Sequence, residues 1–428
     1  MRIAELYVGT IEELSELVRF SEDELGLPMS RPIILCFLNY YLPGFRGGGP
    51  ARSVRNLVDA LSEEYEFRIV TRDRDVGSDA PYESVDIGTW NRVGPAHVFY
   101  APDRELSFRD IEDLLANMPH DVLYLNSFWN PRFTGTPLLI RRLGSCLRRP
   151  VVVAPRGEFS PGALAIKASR KRVYLAFAKL FGLFNEVTWQ ASSEKEASEI
   201  RCALGGLACR VLVAPNLVNM QEGGVSIAGA ARMPAHPNGR LRLVYLSRLT
   251  RKKNLLFLLQ RLGQVRSQVD LTIYGPTEDE EYWQDCLTLI GNLPRNITVR
   301  YAGEIEPEEV PAALAEHDVF VFPTRGENFG HVIFEALSAG TSVVVSDRTP
   351  WRPDCRGALE VLSLEHPSGW TEAIERWASL TPAEYATRRD AAQDWARQYV
   401  TESGALEQNR ALFRAVASGW KGRAPCAV

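Results

Sequence analysis

Residues 319 to 351 read VFVFPTRGENFGHVIFEALSAGTSVVVSDRTPW, and within them Glu327 and Glu335 stand eight positions apart. The apolar run before Glu327 predicts a strand, and the periodic residues after it predict a helix beginning near Phe329 or Gly330. A helix start leaves unpaired backbone N–H groups and the positive end of its dipole facing the polar turn, a place suited to an anion. Glu327 sits in that turn. Glu335 lies in the helix, where it can face a cleft only if hydroxyl groups there supply donors. Upstream, SRLTRKKN (247–254) follows another apolar run and sets Arg248 five positions before Lys253. Two fixed cations near a helix N-terminus can stabilise developing negative charge without a metal ion. A third element, Gly47-Gly48-Gly49, would let backbone approach a ligand closely and turn its N–H groups toward phosphate or sugar oxygens.

These groups need two sets of strands to hold them. Short apolar runs alternate with helical patterns along the chain, the mark of parallel α/β architecture. The first series comprises 32–38, 67–71, 121–126, 150–155 and 210–216; the glycine loop follows its first run and leads into the helical pattern SVRNLVDALSEEY. The second comprises 241–247, 269–275, 297–303, 319–324 and 341–347. Between them, residues 219–240 are rich in Gly, Ala and Pro and lack a period, as a linker would. The expected division is an N-terminal extension at 1–30, with an amphipathic helix in IEELSELVRFSEDELGL, and a Rossmann-like domain at 31–222. A linker at 223–240, a second Rossmann-like domain at 241–395, and a C-terminal helix at 396–428 packing back on the first domain complete it.

In its two glutamates, with the flanks ENFG, EAL and AG, the chain resembles glycosyltransferase family 4. The resemblance implies the α/β GT-B fold, two Rossmann-like domains facing each other across a cleft, the first binding acceptor and the second donor. It places Glu327 by the donor sugar, Glu335 on the nucleotide ribose, and Arg248 and Lys253 on the donor diphosphate. Gly47 and Gly48 would abut the donor sugar and phosphates, and Asn328, Phe329 and Gly330 would complete the donor site. The implied reaction moves a hexose-type sugar from a nucleotide diphosphate sugar with retention of configuration, with Glu327, Arg248 and Lys253 as catalytic residues. Ser247 and Asn254 stand where the family usually has glycine. LNSFWNPRF (125–133) holds Ser127, Phe128 and Trp129 where many members keep a histidine. The segment PVVVAPRGEFSPGALAIKASRKR, with TRDRD and SDRTPW, resembles members that build bacterial surface polysaccharides. That makes a glycan or lipid-linked oligosaccharide the expected acceptor, with Arg156 and Trp129 as acceptor-side candidates.

Other features narrow the classes. A net charge of −4 over 428 residues favours no nucleic-acid partner. Seven scattered cysteines, never as CxxC, argue against a disulfide framework or zinc site and fit a reducing cytoplasm. The first residues carry acids where a signal peptide would be apolar, and no apolar run reaches about 18 residues, so a cytoplasmic protein is expected. The glycine loop does not fit GxGxxG, against a nicotinamide or flavin enzyme. Asp73 and Asp75 form a DxD, but the two strand series point away from the single-domain fold that uses that pair for a metal. His331 and Glu335, four apart, lack a second histidine. No metal or cofactor is therefore expected; the nucleotide sugar is a co-substrate. Residues 166–187 mix Lys167, Arg170, Lys171, Arg172 and Lys179 with Tyr174, Phe177, Phe181 and Phe184. They suit either a core-facing helix with a cationic exposed side or a peripheral contact with the anionic inner face of the cytoplasmic membrane. Two other classes share the double-Rossmann plan. A sugar-nucleotide epimerase would consume donor with no acceptor present, and a non-catalytic sugar-nucleotide-binding protein would bind donor without turnover.

Overall fold

The computed structural model describes residues 31–102, 106–144, 149–165, 168–218 and 239–418. The extension at 1–30, the linker up to 238 and residues 419–428 lie outside this set, so the helix expected at the N-terminus and most of the expected linker do too. The first domain is built on strands β1 (Ile33–Phe37), β2 (Glu66–Arg72), β3 (Trp90–Val93), β4 (Ala96–Ala101), β5 (Val122–Asn126), β6 (Val151–Ala154), β7 (Val187–Ala191) and β8 (Arg210–Val213). They form one sheet in the order β3-β4-β2-β1-β5-β6-β7-β8. All pairs are parallel except the edge hairpin β3–β4. The second sheet holds β9 (Leu241–Leu246), β10 (Val269–Tyr274), β11 (Ile297–Gly303), β12 (Val319–Phe322), β13 (Ser342–Ser346) and β14 (Leu359–Leu362), in the order β11-β10-β9-β12-β13-β14.

Central parallel strands are covered on both faces, which is why they appear as unbroken apolar runs. In β1, Ile34 and Cys36 enter the core on one face while Leu35 and Phe37 enter the core on the other. The helix Gly49–Leu61 follows β1 and buries Val54, Leu57, Val58 and Leu61, one stripe at helical spacing, with proline in its first turn where the missing N–H costs nothing.

The strand orders decide where ligands can sit. In each sheet the chain reverses direction of build next to its first strand, between β1 and β5 and between β9 and β12, and loops leaving the carboxyl ends of such strands diverge to leave a crevice. The glycine loop and Ser127–Trp129 leave one crevice; residues 247–254 and 323–330 leave the other.

Two elements differ from the sequence expectation. The hairpin β3–β4 falls between two of the runs read as strands and β14 falls after the last of them, because short strands broken by polar residues lack a continuous apolar signal. The boundary at 396 falls inside an unbroken helix, Pro382–Glu402, closed at its start by a Thr381–Glu384 capping box. The chain leaves the second domain at Ser403 and left-handed Gly404, and the helix Ala405–Ser418 packs on the first domain through Leu412, Phe413 and Val416. The Phe413 ring meets Tyr65 and Tyr124 at 5.8 and 5.4 Å.

His120, beneath the first sheet, has its imidazole pushed down from 6.5 to about 4, first by burial, with its Nδ1 on Met118 O. The unfolded chain therefore takes up this proton first as pH falls through about 6.5, and stability present at pH 8 is lost toward pH 5. Denaturant titrations should show His120→Gln flattening the pH 8 to pH 5 loss by about 2 kcal/mol; an unchanged slope would mean that His120 is not held neutral.

Candidate functional site

Lys253 and Glu327 come from the two loops at the second crevice and meet at 2.5 Å, with side chains only 14% and 15% exposed. The loops are laced together by backbone and side-chain hydrogen bonds. Arg325 N–H donates to Lys252 O at 2.8 Å. Asn254, in the left-handed conformation at φ 65°, donates from Nδ2 to Pro323 O at 2.9 Å and accepts from Arg325 Nε at 3.2 Å. Asparagine tolerates this conformation better than most residues, so it fills a position that glycine could hold and adds a tie that glycine could not make.

Burial pushes the Glu327 carboxyl up, but the Lys253 ammonium, its hydrogen bond, the Lys252 charge and the Asn328 N–H outweigh it and hold the group below the usual carboxylate range. Glu327 is thus a charged acceptor at neutral pH. Gly330 caps the helix His331–Ser338 in the left-handed region at φ 81°; a Cβ there would press on Ile333 Cδ1 at 2.9 Å and Glu327 Cγ at 3.0 Å. Behind the turn, Trp351 Nε1 donates to Phe329 O, and the Phe329 ring packs against Trp351 at 5.1 Å. The Phe329 side chain therefore belongs to the core of the domain, and only its backbone borders the turn. An aromatic ring beside a wet turn gains more by burial than by exposure, so the expectation that Phe329 lines the donor site rests on its backbone and not on its ring.

Arg248 is half exposed and pairs with Glu278 at 3.1 Å. Arg251 turns outward to Asp279, Glu281 and Asp285. Lys252 instead stays near Glu327, its ammonium lowered by burial and raised in part by that carboxylate. The cleft thus holds a cation that the motif reading left out.

The first domain reaches across the cleft. Arg52 pairs with Glu335, Ser53 Oγ lies 2.9 Å from His331 Nε2, and Arg46 pairs with Glu304 at 2.9 Å. Ser53 spends its proton on Gly49 O at 2.9 Å, so His331 must donate from Nε2. Burial, then the charges of Arg52 and Arg156, holds the His331 imidazole far below its usual value and hence neutral. A Cβ at Gly157 would sit 2.9 Å from Asn328 Cβ, and Asn328 Oδ1 lies 3.0 Å from Ser192 Oγ. Arg52, Ser53 and Ser192 escaped the sequence reading, since nothing local marks them; only the facing of two domains does.

The glycine loop is held by Asp75, whose Oδ2 accepts from Phe45 and Arg46 N–H at 2.9 and 3.1 Å. A Cβ at Gly47 would sit 2.7 Å from Tyr40 Cβ, and Gly48 has φ 68° and ψ −145°, so both positions require glycine. Asp73 pairs with Arg74 at 2.8 Å. The DxD carboxylates are thereby bound to protein donors, and the described residues contain no cluster of three or more metal-ligating side chains.

The acceptor-side candidates are both tied into the first domain. Arg156, left-handed at φ 56°, donates to Tyr124 Oη at 2.6 Å, to Asn126 Oδ1 at 2.9 Å and to Asn216 Oδ1. Its proximity to His331 keeps its charge at the cleft. Trp129, partly buried, has its Nε1 on Glu158 O at 3.1 Å and its ring packed on Phe128 and Phe159. Glu158 accepts from Ser127 Oγ and from the Phe128 and Trp129 N–H groups, fixing the loop where many family members carry a histidine.

Residues 48–217 match the model of the glycosyl transferase 4-like domain, and residues 240–379 match that of glycosyl transferases group 1. The chain belongs to the family 4-type glycosyltransferases. Among family relatives, phosphatidyl-myo-inositol mannosyltransferase of Mycobacterium tuberculosis is 31% identical over 155 residues, 35% of this chain and 38% of the relative. O-antigen chain mannosyltransferase B of Escherichia coli is 32% identical over 112 residues, 25% of this chain and 28% of the relative. The chain thus aligns with well under half the length of these relatives. The structure of Anabaena HepE in complex with UDP and glucose covers 91% of this chain and all of its own at a TM-score of 0.64 and 17% identity, a likeness of fold that places the two domains in the GT-B architecture.

Breaking the partly buried pair leaves an uncompensated carboxylate. Lys253→Met should cost about 3 kcal/mol in chemical denaturation, and adding Glu327→Gln should recover most of it. Additive losses would show that the two groups do not interact energetically.

Proposed function

We propose that this glycosyltransferase moves a hexose from a nucleotide diphosphate sugar to a glycan or lipid-linked oligosaccharide, with retention of configuration and without a metal ion, in bacterial surface polysaccharide synthesis. The observation that carries the reading is Glu327, kept ionised by Lys253 beneath the start of helix His331–Ser338 at the crevice of the second sheet. A charged acceptor there can orient sugar hydroxyls, while Lys253, Arg248, Lys252 and the helix N-terminus draw a diphosphate to the same edge. Arg248, half exposed on Glu278, is free to swing from that carboxylate to a phosphate at little cost, since an exposed ion pair contributes little. Glu335 would take the ribose hydroxyls, sharing its carboxylate with Arg52.

In front-face transfer the bond from the anomeric carbon to the β-phosphate oxygen breaks as the acceptor oxygen bonds to the same face. The acceptor proton passes to the departing phosphate oxygen. The cations hold the charge that remains on the diphosphate, so their contribution grows as the bond breaks. The mannosyltransferase names of the two curated relatives favour a mannosyl donor as the first to test, and the lipid named in one of them favours a lipid-linked acceptor.

Calorimetric titration of UDP, GDP and ADP should give selective binding that EDTA leaves intact and that Arg248→Ala/Lys253→Ala abolishes. With the donor so chosen, Glu327→Gln should lower kcat by roughly 10²- to 10³-fold with the fold kept, and NMR of the product should show the anomeric configuration of the donor. Absence of any nucleotide binding, or an inverted product, would refute the reading.

A further inference from the structure

The helix Ala168–Leu180 turns one stripe of its apolar residues away from the core. Val173, Phe177, Leu180 and Phe181, spaced as one stripe, are 70%, 46%, 81% and 46% exposed, and Leu143, at the end of the neighbouring helix Thr136–Leu143, is 70% exposed. The Phe177 and Phe181 rings pack on each other at 4.3 Å. Only Ala178 is fully buried among the described side chains of this helix, with Tyr174 and Leu175 partly covered on its inner side. A core-facing helix with a cationic outside, one of the two arrangements open from sequence, would show the reverse.

The surroundings of the stripe are basic. Arg170, Arg172 and Lys179 are exposed on the same helix. Arg142, beside Leu143, donates from Nε to Phe181 O at 3.1 Å, which joins the two helices into one surface. No Asp or Glu occurs between Glu158 and Glu186, and Glu186 faces Arg141. The other end of the helix adjoins the cleft, where Lys171 Nζ lies over the Trp129 ring at 4.9 Å and donates to Ala163 O.

We propose that this face of the first domain docks on an anionic lipid surface, with Leu143, Val173, Phe177, Leu180 and Phe181 entering the boundary of the acyl chains and the arginines and lysine meeting lipid phosphates. Exposed aliphatic and aromatic side chains ringed by cations, with no acid among them, match that interface in both polarity and charge. A second copy of the chain would bring two cationic rims together, which like-charge repulsion opposes. The inference extends the reading of a lipid-linked acceptor, because a docked helix would set the bilayer beside the first-domain wall of the cleft. Vesicle binding measured without donor or acceptor separates the two.

The experiment is sedimentation of the full chain with phosphatidylcholine vesicles, with and without 30% phosphatidylglycerol, at low and high salt. The expected result is binding to the anionic vesicles only, weakened by salt. Arg170→Ser/Arg172→Ser/Lys179→Ser should weaken it on the order of 100-fold, and Phe177→Ser/Leu180→Ser/Phe181→Ser should abolish it, while both variants keep the wild-type thermal midpoint and nucleotide affinity. The proposal is overturned if the full chain ignores anionic vesicles or if the apolar variant binds as well as wild type. It is also overturned if the full chain ignores vesicles but self-associates through this stripe in light scattering, or binds them only when the acidic segment 1–30 is deleted, since either result names a different occupant.

Discussion

A carboxylate kept charged in a half-dry crevice is the feature on which the site turns. Burial alone would load a proton onto Glu327 and convert an acceptor of hydroxyl groups into a donor. Lys253 prevents this, helped by Lys252 and the Asn328 N–H. The ammonium can do so only because left-handed Asn254 ends its loop beside Pro323 and left-handed Gly330 starts the helix directly after the turn. Both loops in turn depend on the parallel sheet, which delivers the carboxyl ends of β9 and β12 to one edge and sends their helices away on opposite sides.

The opposite domain supplies the other wall. Arg46, Arg52, Ser53, Gly157 and Ser192 approach Glu304, Glu335, His331 and Asn328, so these four residues of the second domain have partners in the first. A ligand that offers hydroxyls to Glu335 must share that acceptor with Arg52, which ties occupancy of the cleft to the relative placement of the domains. His331 fits this role because it is neutral: an imidazolium beside Arg52 and Arg156 would repel both.

The C-terminal helices connect these parts mechanically. Phe329 leans on Trp351, whose ring packs at a tilt on Trp395 and Tyr399 of the helix Pro382–Glu402 at 5.4 and 5.3 Å. After Gly404 the chain enters the first domain, where Asn409 bonds Pro215 O at 2.8 Å and lies 3.2 Å from Gln190, itself bonded to Tyr124, the partner of Arg156. A continuous path of packed rings and hydrogen bonds therefore runs from the Glu327 turn of the second domain to Arg156 of the first. Its members lie far apart in sequence.

Composition and periodicity by themselves established the two strand series, and the ENFG and EAL flanks with Arg248 and Lys253 identified the second-domain loops, because a strand, a tight turn and a helix start are local events with local residue requirements. Gly47 and Gly48 were legible for the same reason. The sequence did not disclose Arg52 on Glu335, Ser53 on His331 or Asn328 on Ser192, since these pairs join residues more than a hundred positions apart that no spacing rule links. Nor could it decide the side-chain fates of Phe329, Trp129 and Arg156, whose types suit a ligand and a core equally well. The exposed stripe of helix Ala168–Leu180 was ambiguous for a related reason: periodicity marks one apolar face, and only the packed domain determines whether that face turns inward or out.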